Sequence, residues 1–173
     1  VFSYTSDRQA DRKVSVTKEV AVPAEAVFDL LADPAKHPLL DGSGTVQASR
    51  GPAQRLALGS RFAMQMRDHV PYRIVNTVVE FEDGRRIAWR HFSGHRWIWQ
   101  LEPLEDGRTR VTETFDWSTA HTPALIELLG YPQRNERGMV ATLERIEQLA
   151  AGDGEAAGGQ PATDSRPQAA RRS

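Results

Sequence analysis

The pattern of apolar residues predicts an α+β domain: a curved antiparallel sheet of about seven strands around a long C-terminal helix, with two short helices after strand 1. Three observations carry this prediction. Stretches with apolar residues at every second position recur between Lys13 and Trp117, as half-buried strands require. Three of the connections between them, Glu82-Asp83-Gly84, Phe92-Ser93-Gly94 and Glu105-Asp106-Gly107, suit three-residue hairpin loops that end in a left-handed glycine. After Ser118 the apolar spacing becomes helical and holds to about Ala151.

Taken in order, residues 1–12 are polar and patternless and are expected to form a flexible arm. Val14, Val16, Val20 and Val22 alternate with polar neighbours and predict a strand, in which Lys18 is the one misfit on the apolar face. Pro23 suits the first turn of a helix over Ala24 to Ala32, and Asp33-Pro34 ends it and opens a short one as far as Leu40. The turn cluster Asp41-Gly42-Ser43-Gly44 leads into a strand near Thr45 to Ser49. Phe62, Met64 and Met66 mark the next strand. Arg73 to Phe81 is another, with apolar residues on both parities.

The three glycine-ended loops set a register for the rest. They pair Val79 with Ile87, Thr77 with Trp89 and Val75 with His91; then Trp89 with Trp97 and His91 with His95; then Leu101 with Val111, Trp99 with Glu113, Trp97 with Phe115 and His95 with Trp117. One loop type thus gives a continuous apolar face across four meandering strands. Beyond it, Thr122-Pro123 starts a helix with an apolar stripe at Leu125, Leu128 and Leu129, and Gly130-Tyr131-Pro132 interrupts it. Met139, Leu143, Ile146 and Leu149 continue the apolar seam. The domain is therefore placed at residues 13–151, and 152–173, rich in Gly, Ala, Gln, Pro and Arg, are expected to be a disordered tail.

Composition narrows the function. A formal charge of −1 over 173 residues, with Lys and Arg scattered, argues against nucleic-acid binding by phosphate neutralisation. The chain has no cysteine, so disulfides and thiolate metal sites are excluded. No segment approaches the roughly 20 apolar residues of a membrane span, and the N-terminal residues lack a signal-peptide apolar run, so a cytoplasmic protein is expected. Oligomeric state is not legible.

The segment Val20-Ala21-Val22-Pro23-Ala24-Glu25-Ala26-Val27-Phe28-Asp29-Leu30-Leu31-Ala32-Asp33-Pro34 resembles the opening of the START-like helix-grip (SRPBCC) superfamily, in its polyketide cyclase/dehydrase and lipid-transfer branch. Val79-Glu80-Phe81 before a tight turn, Trp97 to Leu101 leading into an Asp-Gly turn and Arg110-Val111-Thr112-Glu113, and Asn135 to Met139 on the last helix are similar too. The resemblance covers about residues 13 to 150. It implies that sheet and C-terminal helix grip a largely apolar cavity for a lipid, polyketide or similar ligand, without a cofactor.

The register places Met64, Met66, Val75, Thr77, Val79, Trp89, Trp97, Trp99, Phe115 and Trp117 on the cavity side. The tryptophans are divided between filling the core and meeting a ligand. Glu113, set among Val111, Phe115 and Trp99, is the sharpest candidate: burial would raise its pKa for proton transfer or for gripping a hydroxyl, and the competing reading is a structural pair with Arg73 or Arg96. His91 can polarise a carbonyl or act as acid and base, whereas His95 reads as a solvated turn residue. A metal is disfavoured because the two histidines lack a third ligand. Asn135 and Met139 are candidates on the last helix, and Gly138 there suggests close packing.

Three functional readings follow. The first is a carrier or sensor for a hydrophobic, ring-containing small molecule, lipid or polyketide-like. The second is an enzyme, a polyketide cyclase/aromatase or dehydratase without cofactor, in which Glu113 and His91 are catalytic. The third is a protein-binding module of the chaperone-activator kind, which would show an exposed apolar patch and a plugged cavity.

Overall fold

The computed structural model describes residues 5–9, 11–51 and 54–158. The chain runs through β1 (Thr5–Gln9), β2 (Lys13–Val20), α1 (Ala24–Ala32), α2 (His37–Leu40), β3 (Val46–Arg50), β4 (Arg61–Asp68), β5 (Val70–Glu82), β6 (Arg86–His91), β7 (Arg96–Pro103), β8 (Thr109–Asp116), α3 (Pro123–Leu128) and α4 (Tyr131–Gly158). All eight strands form one antiparallel sheet in the order β1-β2-β8-β7-β6-β5-β4-β3. Because β2 lies beside β8 while β3 is at the far edge, α1 and α2 must cross the sheet between them. α4 packs on the same face, against β2, β8, α1 and α2.

The core sits between that face and the helices. Val14, Val16 and Val20 of β2 are buried, as are Val27, Phe28, Leu30 and Leu31 of α1 and Met139, Leu143, Ile146 and Ala150 of α4. The α4 residues recur at spacings of three and four, one stripe of a helix. Lys18, the misfit of β2, is buried beneath α4, and its Nζ donates to Glu147 Oε2 at 2.6 Å. Glu147 Oε1 also accepts from the Ala21 backbone N–H, so the carboxylate ties α4 to the end of β2.

The structure corrects the sequence reading in several places. Residues 5–9, expected to be part of a loose arm, pair with β2 from Thr5↔Thr17 to Gln9↔Lys13. Their pairing is made by the backbone, which needs no apolar pattern, and it covers the otherwise open edge of β2. α4 runs on to Gly158, into the expected tail, because a formed helix adds residues without a new nucleation step. The rest of that tail, 159–173, and residues 1–4 lie outside the described residues. The Leu125, Leu128 and Leu129 stripe is not buried: these side chains are 49%, 82% and 60% exposed.

The hairpins β6–β7 and β7–β8 have the expected registers, with Trp89↔Trp97 and Ile87↔Trp99, then Trp97↔Phe115, Trp99↔Glu113 and Leu101↔Val111. Gly94 and Gly107 end those loops with φ of 97° and 79°, the left-handed conformation that glycine adopts without strain. The β5–β6 hairpin departs from expectation. Its closing pair is Glu82↔Arg86, and the register shifts between Val78 and Glu80, where Val79 is bulged out. A bulge reverses which parity faces the core. Phe81 therefore packs inward near the turn, whereas beyond the bulge Ile74, Asn76 and Val78 are the buried set. Val75, Thr77 and Val79 lie on the opposite face.

Candidate functional site

Between the inner face of the sheet and the helices lies a cavity of about 150 Å³. The sheet contributes Phe62, Met64 and Met66 from β4, Ile74 and Asn76 from β5, Trp89 from β6, Trp97 and Trp99 from β7 and Glu113 from β8. Leu31, His37 and Leu40 come from α1 and α2, and Asn135, Gly138, Met139 and Thr142 from α4. The connection from α2 to β3 adds Asp41, Ser43, Thr45 and Val46.

One end of the wall is an aromatic cluster. The Trp89 ring stacks on His37 at 5.1 Å, meets the edge of Phe62 at 5.6 Å and tilts against Trp99 at 6.5 Å. His37 Nε2 lies 2.9 Å from the Leu31 carbonyl oxygen. A carbonyl only accepts, so Nε2 carries the proton and Nδ1 the lone pair. Burial lowers the His37 pKa, which keeps the ring neutral.

The polar members of the wall stand out because they are unsatisfied. Glu113 Oε2, Asn76 Oδ1 and Trp99 Nε1 are all buried without a hydrogen-bond partner among the described residues. Buried polar groups are nearly always paired, and one left unpaired costs about 1–3 kcal/mol. Here three fall in one cavity. Burial, with the Asp41 charge adding to it, pushes the Glu113 carboxyl well above the usual range. Such a group holds its proton into a higher pH range than an exposed glutamate, and as a neutral acid offers one donor and one acceptor. Neither expected partner, Arg73 or Arg96, neutralises it. Arg96 instead donates to Asp116 at 2.6 Å.

The connection from α2 is held down on α4 by close backbone contact. The Gly42 N–H donates to Thr142 Oγ1, which itself donates to the Gly138 carbonyl oxygen, both at 2.9 Å. A Cβ on Gly42 would lie 2.5 Å from that carbonyl oxygen, so a side chain there cannot be accommodated without movement. Gly138 faces Ser43, which accounts for a glycine inside the helix. Asp41 braces the loop, Oδ2 accepting from the Val46 N–H at 2.7 Å and Oδ1 from the Ser43 N–H and hydroxyl.

Of the residues expected at the site, Met64, Met66, Trp89, Trp97, Trp99, Glu113, Asn135 and Met139 line the cavity. Val75, Thr77 and Val79 do not, because the bulge turns them to the other face of the sheet. Phe115 and Trp117 are buried in the core but do not reach the cavity; they stack on each other at 5.3 Å, and Trp117 Nε1 donates to Glu127. His91 is also displaced. At the tip of its hairpin it stacks on His95 at 4.4 Å, and the Ser93 hydroxyl bridges the two rings through their Nδ1 atoms at 2.7 and 2.9 Å. Burial lowers the pKa of His91 to about 4 and that of His95 to about 3. His95, far from being a solvated turn residue, also meets the edge of Phe115.

Sequence reasoning missed His37, Asn76, Phe62 and Thr142. Asn76 lies on the parity that the expected register turned outward, and His37 on a one-turn helix too short to show a period. Among the described residues no group of three or more His, Asp or Glu side chains is placed to hold a metal. No helix among them is long and apolar enough to cross a membrane.

The chain is similar to known proteins in sequence and in fold. It is 39% identical over 146 residues to the uncharacterized protein Rv0088 of Mycobacterium tuberculosis, covering 81% of this chain and 65% of that protein, and 38% identical to a second M. tuberculosis protein, MT0096, over the same shares. It thus spans about two thirds of the length of these relatives. In fold it is similar to protein NE0264 of Nitrosomonas europaea (TM-score 0.65, 21% identity, 86% of this chain and 99% of that one). It is also similar to a protein of Arthrobacter aurescens (0.68, 18%, 86% and 91%) and an AHSA1-like protein of Aeromonas hydrophila (0.54, 22%, 81% and 94%). These neighbours share the helix-grip architecture. Residues 11–151 match the polyketide cyclase/dehydrase and lipid transport family, and with that match over most of its length the chain belongs to this family.

Proposed function

We propose that the protein binds a compact hydrophobic molecule, one ring in size and bearing a hydroxyl or carbonyl, in the inner cavity, as a carrier or sensor. The observation that carries this reading is the trio of unpartnered polar atoms, Glu113 Oε2, Asn76 Oδ1 and Trp99 Nε1, in an otherwise apolar wall. A ligand hydroxyl donates to Asn76 or Glu113, and a ligand oxygen accepts from the Trp99 N–H or the protonated Glu113. Size points to a small occupant. A cavity of about 150 Å³ is enough for benzene.

A cyclase or dehydratase reading is favoured by one feature, the carboxyl of Glu113, whose burial in largely apolar surroundings raises its pKa in the direction that suits a general acid. His91 is not available as its partner; within the cavity that part falls to neutral His37. The protein-binding reading has the exposed apolar leucines of α3 in its favour, but it calls for a filled cavity, and this one is not filled.

The test is titration with phenol and with benzene, followed by tryptophan fluorescence and calorimetry. Trp89, Trp97 and Trp99 line the cavity, so an occupant should quench emission. Phenol should bind more tightly than benzene, and Asn76→Leu with Glu113→Leu should erase the preference. Equal binding of the two probes, or no quenching by either, refutes the reading. Turnover of a polyketide-like chain that is lost in Glu113→Gln while binding persists would decide for the enzyme.

A further inference from the structure

The opposite face of the sheet carries a groove that the inner cavity does not explain. It measures about 530 Å³ and is lined by Val75, Val79 and Phe92 together with Arg61, Arg90 and Arg96. That volume is within the range of small-molecule sites, about 300–1,000 Å³. Phe92 is 67% exposed, so the groove has an accessible apolar wall.

The ladder registers show how the arginines are arranged. Arg61 lies opposite Thr77, Thr77 opposite Arg90, and Arg90 opposite Arg96, one row crossing β4, β5, β6 and β7. Neighbouring strands are ~4.8 Å apart, so three guanidinium groups rise from a strip about 15 Å wide. Like charges directly opposite each other on a sheet are destabilising. Arg96 is compensated, by Asp116 at 2.6 Å and Glu80 at 3.6 Å. Lys13 adds a longer pair to Asp116, and Arg86 a pair to Glu80. Arg61 and Arg90 have no ion pair among the described residues. The row therefore keeps two uncompensated positive charges beside an apolar floor.

We propose that this groove is a second binding site, for a small amphipathic anion: an oxyanion headgroup held by Arg61 and Arg90 on a short apolar chain that lies along Val75 and Phe92. Guanidinium groups suit the headgroup because they meet a carboxylate or phosphate with two parallel N–H donors. Val75 and Phe92, side by side on β5 and at the end of β6, give the chain its contact. Neither half alone explains the groove, since a purely anionic ligand has no use for Phe92 and a neutral apolar one has none for the arginines.

Octanoate is the probe, with octanol and acetate as controls, measured by calorimetry on the full chain. Octanoate should bind more tightly than either control and lose affinity at high salt. Arg61→Gln with Arg90→Gln should weaken it at least about tenfold, as expected when charge-assisted hydrogen bonds are lost. Phe92→Ala should weaken octanoate and leave acetate unchanged. Because both arginines are exposed and one faces a like charge, the double variant should melt no lower than the wild type. Glu113→Leu should leave octanoate binding intact. The proposal is overturned if the arginine variant binds octanoate like the wild type, if acetate binds as well as octanoate, or if Glu113→Leu abolishes the binding, which would place octanoate in the inner cavity.

Discussion

Replacing Glu113 by leucine should make the ligand-free protein more stable. The carboxyl is 4% exposed, faces a wall of Trp97, Trp99 and Met64, and leaves Oε2 without a partner. An apolar side chain of similar size removes that unsatisfied group, worth about 1–3 kcal/mol. At about 2–4 °C per kcal/mol for a chain of this size, the melting temperature should rise by several degrees. The gain should also depend on pH, and its sign follows from the raised pKa. The folded state keeps the Glu113 proton above pH 4.5, where an unfolded glutamate has lost it, so the stabilisation from holding that proton is complete below pH 4.5 and disappears as pH rises through the folded-state pKa. Wild-type stability should therefore decline relative to both Glu113→Leu and Glu113→Gln as pH is raised. Thermal denaturation followed by circular dichroism from acid to mildly alkaline pH measures this. Parallel profiles for wild type and Glu113→Gln, or a lower melting temperature for Glu113→Leu at all pH values, would refute the assignment of a buried, unpaired carboxyl.

Three other outcomes are expected. Glu147→Gln should destabilise, because it removes the carboxylate that pairs with buried Lys18 at 2.6 Å and anchors the Ala21 N–H, whereas Lys18→Met, which replaces the buried charge with an apolar chain, should cost less; urea titration of the two variants compares them. Gly42→Ala should lose about 2 kcal/mol or more, since its Cβ meets the backbone of α4, while Gly138→Ala stays within about 1 kcal/mol of wild type, its contact with Ser43 being offset by better helix propensity; melting curves separate them. His91 and His95 stay neutral in the fold down to about pH 4 and about pH 3, while unfolded histidines take up protons below about 6.5, so stability should fall as pH drops from 6.5 and the double change to asparagine should flatten that limb.

Where the sequence could be read, loop length made it possible. Gly94 and Gly107 each end a three-residue loop, and that alone puts Trp89 beside Trp97 and Trp99 beside Glu113, because no irregularity intervenes between loop and pair. β5 is different. With Ile74 and Val78 on one parity and Val75 and Val79 on the other, its apolar pattern fits both faces, and the bulge at Val79 has no proline or glycine to announce it. Alternation and loop length alone therefore point Val75, Thr77 and Val79 inward and turn Asn76 outward, the reverse of the bulged strand. Parity also says nothing about depth. Phe115 and Trp117 share the inner side with Glu113 but pack beyond the end of the cavity. His37 depends on how α2 lies over the sheet, a tertiary fact with no local signal. The arm at 5–9 pairs through its backbone, which side-chain patterning does not report.

The two faces of the sheet differ in what they leave uncompensated. On the inner face the open terms are hydrogen bonds: three buried polar atoms, at about 1–3 kcal/mol each, sum to a sizeable part of the 5–15 kcal/mol by which a domain is usually stable. An apolar residue at any of these positions would relieve the deficit, so a side chain serving only the core is a poor account of Asn76 or Glu113. A bound molecule that satisfies them repays the deficit and stabilises the fold by mass action, about 2.7 kcal/mol at a hundredfold excess over its dissociation constant. On the outer face the open terms are charges, exposed and screened by salt, which cost the fold little but attract an anion from a distance. The same strand alternation builds both. Trp89 faces inward and Arg90 outward, so β6 joins an aromatic wall to a basic row, and occupancy of one face need not disturb the other so long as β6 keeps its register with β7.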